Sequence, residues 1–138
     1  MIRILVSSLL FLLLTTFSLN AKHIAFRDYQ TILDSSMIAG ALYACSKNNA
    51  FNDSQKMAFQ FLHFKVADMV DNYFILSYRV IAQQDASNRT RKDLVNEHLE
   101  IENKIFDEQE YGASSINNGS LTCKQVSEIT DLMLQAHN

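Results

Sequence analysis

The segment from Asp53 to Asp85 contains neither glycine nor proline, the two residues that most readily interrupt a helix. Its apolar residues recur at the spacing of about 3.6 residues per turn that places them along one side of a helix. We therefore predict one long second helix that ends near Gln84, with a bend at Asp71 and Asn72 as the alternative. Its predicted core face consists of Ala58, Phe59, Leu62, Val66, Met69, Val70, Tyr73, Leu76 and Val80.

A second group of apolar side chains lies on the opposite side of this helix, between polar residues such as Gln60 and Asp68. A helix in a simple bundle needs only one apolar face, and soluble monomers rarely expose large contiguous apolar patches. The strip therefore either binds a protein partner or a second copy of the chain, or it packs beneath a loop or beside another helix. This outer strip consists of Met57, Phe61, Phe64, Ile75 and Tyr78.

The region from Phe26 to Lys47 predicts a first helix, because its larger apolar residues also recur at helical spacing. Within it Ser36, Gly40 and Ala44 recur every four residues and form a shallow groove that a neighbouring helix can approach closely. Glycine inside a helix costs up to about 1 kcal/mol, which indicates a packing role for Gly40. We expect the aromatic second helix to occupy this groove.

A third helix is predicted to run to about Gln109 and a fourth to begin after Thr122. The stretch from Tyr111 to Gly119 is rich in Gly, Ser and Asn and predicts the longest loop. The result is an all-α, up-down four-helix bundle.

Residues that can cap a helix start are Asn52 with Gln55, Thr90 with Asp93, and Thr122 with Gln125. The third helix's predicted core residues are Leu94, Val95, His98, Ile101, Ile105 and Phe106.

The first residues, Met1 to Ala21, have the pattern of a signal peptide: one early positive charge at Arg3, an apolar run, and a small residue before the expected cut. We expect a single mature domain over 22–138, periplasmic or secreted, with no membrane contact after cleavage. An uncleaved anchor is the alternative, because the apolar run approaches the shortest spanning length.

Cys45 and Cys123 are the two cysteines of the chain. An even number of cysteines in an exported protein predicts a disulfide, with two buried free thiols as the alternative. In an up-down bundle the end of the first helix and the start of the fourth lie at the same end. The element order and the predicted Cys45–Cys123 disulfide therefore support each other.

The sequence carries no catalytic signature, and we predict a non-enzymatic protein without a cofactor or metal. The net charge of −3 and the lack of a basic cluster argue against nucleic acid as a partner.

His98 and Glu102 lie one turn apart and predict a hydrogen-bonded pair at the edge of the core. Asp68 and Asp71 predict a solvated surface pair. A small-ligand or metal carrier that uses His98, Glu102 and His63 inside the bundle is the alternative function.

Two short segments around the cysteines resemble the small periplasmic immunity proteins that neutralise type VI secretion amidase effectors. They are Ala41-Leu42-Tyr43-Ala44-Cys45 and Gly119-Ser120-Leu121-Thr122-Cys123. The resemblance covers these residues and the general helical layout. It implies a non-catalytic helical domain, often dimeric, that blocks a cell-wall hydrolase, and it transfers no inhibitory residue to this chain. The leading hypothesis is an exported protein that binds a protein partner, or itself, through the outer strip.

Overall fold

The computed structural model describes residues 26–84 and 91–136, with side chains at positions 29–74 and 96–136. Four helices are found in this part of the chain: α1 (Phe26–Lys47), α2 (Asp53–Gln84), α3 (Arg91–Asn117) and α4 (Cys123–Ala136). They confirm the all-α, four-helix fold class, and α2 continues without a break through Asp71 and Asn72. The predicted leader and Thr90 lie outside the described residues.

α1 is the central helix, because it packs extensively against both α2 and α3 and also contacts α4. Its middle is buried on nearly every side, including Ser35, Ser36 and every residue from Ile38 to Leu42. Small side chains dominate this stretch, so neighbouring helices approach it closely from several directions. The Ser36 hydroxyl, buried among them, donates to the Ile32 carbonyl at 2.6 Å and is thereby satisfied.

The helix directions are those of an up-down bundle. Ile32 of α1 packs in the same buried cluster as Ile101 of α3, and further along both helices Gly40 lies beside Gln109. α1 and α3 therefore run the same way, as first and third helices do in this topology. The predicted disulfide between Cys45 and Cys123 is present and joins the end of α1 to the start of α4.

The small-residue groove of α1 holds α3, and the prediction that α2 fills it is wrong. A Cβ atom at Gly40 would overlap the backbone of Gln109, and one at Gly112 would overlap the backbone carbonyl of Met37. The two helices meet backbone to backbone, a contact that glycine permits because it has no side chain. α2 faces α1 with larger side chains such as Leu62, so it packs through them instead.

α3 continues to Asn117, and the predicted loop from Tyr111 is wrong over most of its length. Gly112 lies inside the helix, where its contact with α1 outweighs a propensity penalty of about 1 kcal/mol. Ser115 is buried, and its hydroxyl donates to the Tyr111 carbonyl at 2.9 Å, so it does not interrupt the helix. The chain then turns at Gly119, whose φ of 79° is the left-handed conformation that commonly follows a helix.

Two apolar clusters stabilise the bundle, one at each end of α1. The cluster far from the disulfide contains Ile32, Val70, Phe74 and Ile101. The cluster near the disulfide is larger, and α4 contributes a fully buried residue to it. Its buried members are Ile38, Ala39, Ala41, Leu42, Val66 and Val126.

The predicted core face of α2 is confirmed at six positions. Val66 and Val70 are buried, and four partly buried residues pack against the two clusters: Phe59, Leu62, Met69 and Tyr73. Leu76 and Val80 lie outside the described side chains.

Three residues differ from their predicted burial. Ala58 is exposed, and Phe106, predicted as a core residue of α3, is 59% exposed. Phe74 is buried although the pattern did not select it, because α2 is covered there by both α1 and α3. Leu94 and Val95 of the predicted α3 core lie outside the described side chains.

Reciprocal hydrogen bonds cap the starts of α2 and α4, as predicted. The Asn52 N–H donates to Gln55 Oε1 at 3.0 Å, and the Gln55 N–H donates to Asn52 Oδ1 at 2.9 Å. Thr122 and Gln125 form the equivalent pair at 2.9 and 3.2 Å. Each cap satisfies a backbone donor that a helix start leaves without a partner.

Removal of either cap is expected to lower the free energy of unfolding by about 1 kcal/mol, because a backbone donor loses its side-chain acceptor. The variants Asn52→Ala and Thr122→Ala test this by urea denaturation. Ser54→Ala is the matched control, since Ser54 is exposed in the same first turn of α2. A loss no larger than that of the control would contradict the capping role.

Candidate interaction surface

The outer strip is exposed wherever its side chains are described. Met57, Phe61 and Phe64 are 69%, 60% and 61% exposed, and they follow one another at helical spacing along α2. They lie on the face opposite Val66, so the helix directs them away from the core. The other two predicted members, Ile75 and Tyr78, lie outside the described side chains.

Aromatic contacts extend this surface from α2 onto α1. The His63 ring centroid lies 5.4 Å from that of Phe64 and 5.5 Å from that of Tyr43. Tyr43 is 51% exposed, although its spacing predicted a place among the apolar residues of the first helix. The apolar surface therefore spans two helices, and the sequence did not indicate the contribution of Tyr43.

Two lysines lie over rings of this surface. Lys65 Nζ is 4.8 Å from the centroid of Phe61, and Lys47 Nζ is 5.3 Å from that of Tyr43. Such cation–π contacts hold the lysine chains against the rings while the ammonium groups stay in water. The surface thus combines exposed aromatic side chains with a positively charged edge.

His63 is a hydrogen-bonded boundary residue. Its Nδ1 lies 2.8 Å from the backbone carbonyl of Ala39, and because a carbonyl oxygen can only accept, Nδ1 is the donor in this hydrogen bond. The bond ties α2 to the buried middle of α1. It also fixes the ring between Tyr43 and Phe64 and gives the aromatic surface a rigid base.

The residues proposed for a metal or ligand carrier are not brought together. His98 Nε2 and Glu102 Oε1 are 3.3 Å apart, which confirms the predicted pair, and the His98 ring packs 4.7 Å from that of Phe74. His63 instead contacts Ala39, which belongs to the other apolar cluster, the one nearer the disulfide. Among the described residues, no three His, Cys, Asp or Glu side chains are grouped so that they could hold a metal ion.

Asp68 and Asp71 are both exposed on α2. Asp68 accepts a hydrogen bond from the Asn72 amide at 3.3 Å, one turn further along. Lys65, three residues before Asp68, lies over the ring of Phe61. Both carboxylates are exposed to solvent, as the sequence predicted, and Asp68 bonds Asn72.

A groove beside the disulfide was not predicted from the sequence. It has a volume of about 580 Å³ and lies where the α1–α2 turn meets the α3–α4 turn. Its lining includes Phe51, Phe59, Ile116, Leu121, Thr122 and Lys124. We call it the disulfide groove, because Cys123 also lines it. The sequence offered no signal for it, since its walls come from three separate segments.

Within the described ranges, no helix has the length and apolar character needed to span a membrane. Comparison of the chain with protein-family models, with curated proteins and with solved structures found no match.

Proposed function

We propose that this protein is an exported, non-enzymatic helical module that binds another protein through the outer strip. The observation that supports this most directly is the exposure of Met57, Phe61 and Phe64 on one face of α2. Exposed aromatic side chains with charged groups at their edge are typical of protein interfaces. The alternative to an interface is that the strip packs beneath the 111–119 loop or beside another helix; residues 111–117 are helical, and these three side chains are exposed.

The charges at the edge of the strip favour a different protein over a second copy. A two-fold dimer through this strip would bring the same patch of both copies together. Lys47 and Lys65, which lie over its rings, would then bring the positive charges of both copies into one interface, and this repulsion disfavours association. The nearest carboxylates of α2 in sequence are Asp53, which precedes the three strip residues, and Asp68, which follows them. A partner with an acidic edge around an apolar recess fits this surface best.

The resemblance around the two cysteines supports a sharper form of the proposal, in which the partner is an enzyme and this protein is its inhibitor or immunity protein. One of the two resembling segments contains Tyr43, which lies at the edge of the aromatic surface. The resemblance contains none of the three exposed strip residues, so the support it gives does not extend to the strip. The partner class therefore has to be established by experiment rather than by transfer.

The double variant Phe61→Asp/Phe64→Asp tests the strip. Aspartate removes both aromatic anchors and adds negative charge, so we expect partner affinity to fall by more than about 30-fold. Folding should be retained, because exposed substitutions usually change stability by less than about 0.5 kcal/mol. The measurement is capture of partners from the source compartment by the tagged mature domain, then titration with the purified partner and circular dichroism of each variant.

Phe106→Asp is the matched control. Phe106 is 59% exposed on α3, close to the value for Phe61, but it lies on a different helix. It should keep both the partner and the fold. Unfolding of the double variant would place Phe61 and Phe64 in the core, and unchanged partner binding would exclude the strip. Sedimentation of the wild type and of the double variant tests self-association. A wild type that forms dimers and a double variant that is monomeric would indicate that the strip binds a second copy of the chain.

A further inference from the structure

The floor of the disulfide groove is apolar and partly buried. The rings of Phe51 and Phe59 pack with centroids 5.2 Å apart, and Ile116 and Leu121 pack against the cluster near the disulfide. All four side chains line the groove and keep part of their surface in water. A hydrocarbon chain laid along them would remove that surface from water, which is the main driving force for binding apolar ligands. The groove volume of about 580 Å³ lies within the range of small-molecule sites.

The rim of the groove carries one charge, and it is positive. Lys124 is the single ionisable side chain among its lining residues. It is exposed and forms no ion pair with any residue in the described part of the chain, including Glu128 one turn later. Lys124 also lies in the first turn of α4, where the helix dipole adds positive potential. An anionic group at this position would meet an ammonium without losing an existing partner.

Hydrogen bonds and the disulfide hold the α3–α4 turn, which forms one wall of the groove, before any ligand binds. The Leu121 N–H donates to the Ser115 carbonyl at 3.0 Å, and the Ser120 hydroxyl donates to Asn118 Oδ1 at 2.6 Å. Asn118 Oδ1 accepts from the Ser120 N–H at 2.9 Å, and the disulfide fixes Cys123 at the edge. A preformed site spares a ligand the entropic cost of ordering the loop.

We propose that the disulfide groove binds a small anionic amphiphile, a monocarboxylate with an unbranched hydrocarbon chain. The chain lies along Phe51, Phe59, Ile116 and Leu121, and the carboxylate pairs with Lys124. This inference does not depend on the outer strip. Phe59 points to the core-facing side of α2, whereas the strip lies on its opposite side.

Titration of the mature protein with decanoate, followed by two-dimensional NMR, tests the proposal. We expect saturable one-to-one binding with shift changes centred on Ile116, Leu121 and Lys124. Lys124→Glu should weaken decanoate about tenfold or more, the usual effect of losing one charge-assisted contact. This variant should remain folded, because an acidic residue in the first turn of a helix is favoured by the dipole. Lys104→Glu, exposed on α3, is the matched control and should bind as the wild type does.

A cation of the same chain length separates charge recognition from general apolar binding. Decyltrimethylammonium should bind the wild type at least tenfold more weakly than decanoate, and Lys124→Glu should reverse that order. Leu121→Trp, which fills the groove, should block both ligands while circular dichroism stays unchanged. The proposal is overturned if the two ligands bind equally, if Lys124→Glu leaves decanoate affinity unchanged, if no saturation is seen, or if the shifts map to Phe61 and Phe64.

Discussion

Replacement of Cys45 and Cys123 together by alanine is expected to lower the free energy of unfolding by about 4.5 kcal/mol. The disulfide spans 78 residues of sequence, so it removes a large loop-closure entropy from the unfolded chain. A domain of this size usually has only about 5–15 kcal/mol of stability in total. The double variant should therefore be marginally folded, and its urea midpoint should fall sharply.

The position of the disulfide adds a local effect. α4 is the shortest of the described helices and packs less extensively against α1 and α2 than α2 and α3 pack against α1. Val126 and Thr130 are its two fully buried residues, so much of its attachment comes from Cys123. Hydrogen exchange of the reduced protein should show α4 losing protection first, before α1 does.

Reductant supplies the control for this prediction. Dithiothreitol should destabilise the wild type to about the level of the double variant and should leave the double variant itself unchanged. A reduced wild type with an unchanged urea midpoint would contradict a stabilising role for the bond.

Gly40→Ala and Gly112→Ala are each expected to lower the free energy of unfolding by about 3 kcal/mol, near the upper end of overpacking effects. The added methyl group would overlap backbone atoms of the facing helix, which cannot rotate away as a side chain can. α1 and α3 must then separate along their whole contact. Alanine is the better helix former by about 1 kcal/mol, so the expected sign is opposite to that predicted by helix propensity.

Gly119 provides a control for the same substitution without the overlap. A Cβ atom at Gly119 meets no atom within 4 Å, but its φ of 79° disfavours alanine by about 1 kcal/mol. Gly119→Ala should therefore cost about 1 kcal/mol and Gly119→Asn less, because asparagine tolerates this conformation. Urea denaturation of the four variants measures the differences. A stabilised Gly40→Ala or Gly112→Ala would show that the two backbones are not in contact.

Local chemistry made much of the fold predictable. The bounds of α1, α2 and α4, the two reciprocal caps and the cysteine pairing follow from signals contained within a few residues or from element order. The Val66 and Val70 side of α2 also followed from periodicity, because core burial repeats with the helical turn. His98 pairs with Glu102, as their spacing of one helical turn predicted.

The candidate site was predicted only in part. The outer strip followed from periodicity, and its described members Met57, Phe61 and Phe64 are exposed. The contribution of Tyr43 did not follow, because contact between α1 and α2 decides which face of α1 is covered. The disulfide groove did not follow either, since residues far apart in sequence form its walls.

The sequence by itself determined where helices begin and which side of α2 is apolar, because capping and periodicity act within a few turns. Only the tertiary structure decided that α3, rather than α2, lies against Gly40. The same glycine-rich composition that favours a turn in an isolated segment favours close helix contact when a facing glycine is present. Gly112 is therefore a helix residue here: the buried contact with α1 outweighs its local preference, and that contact exists only once the chain has folded.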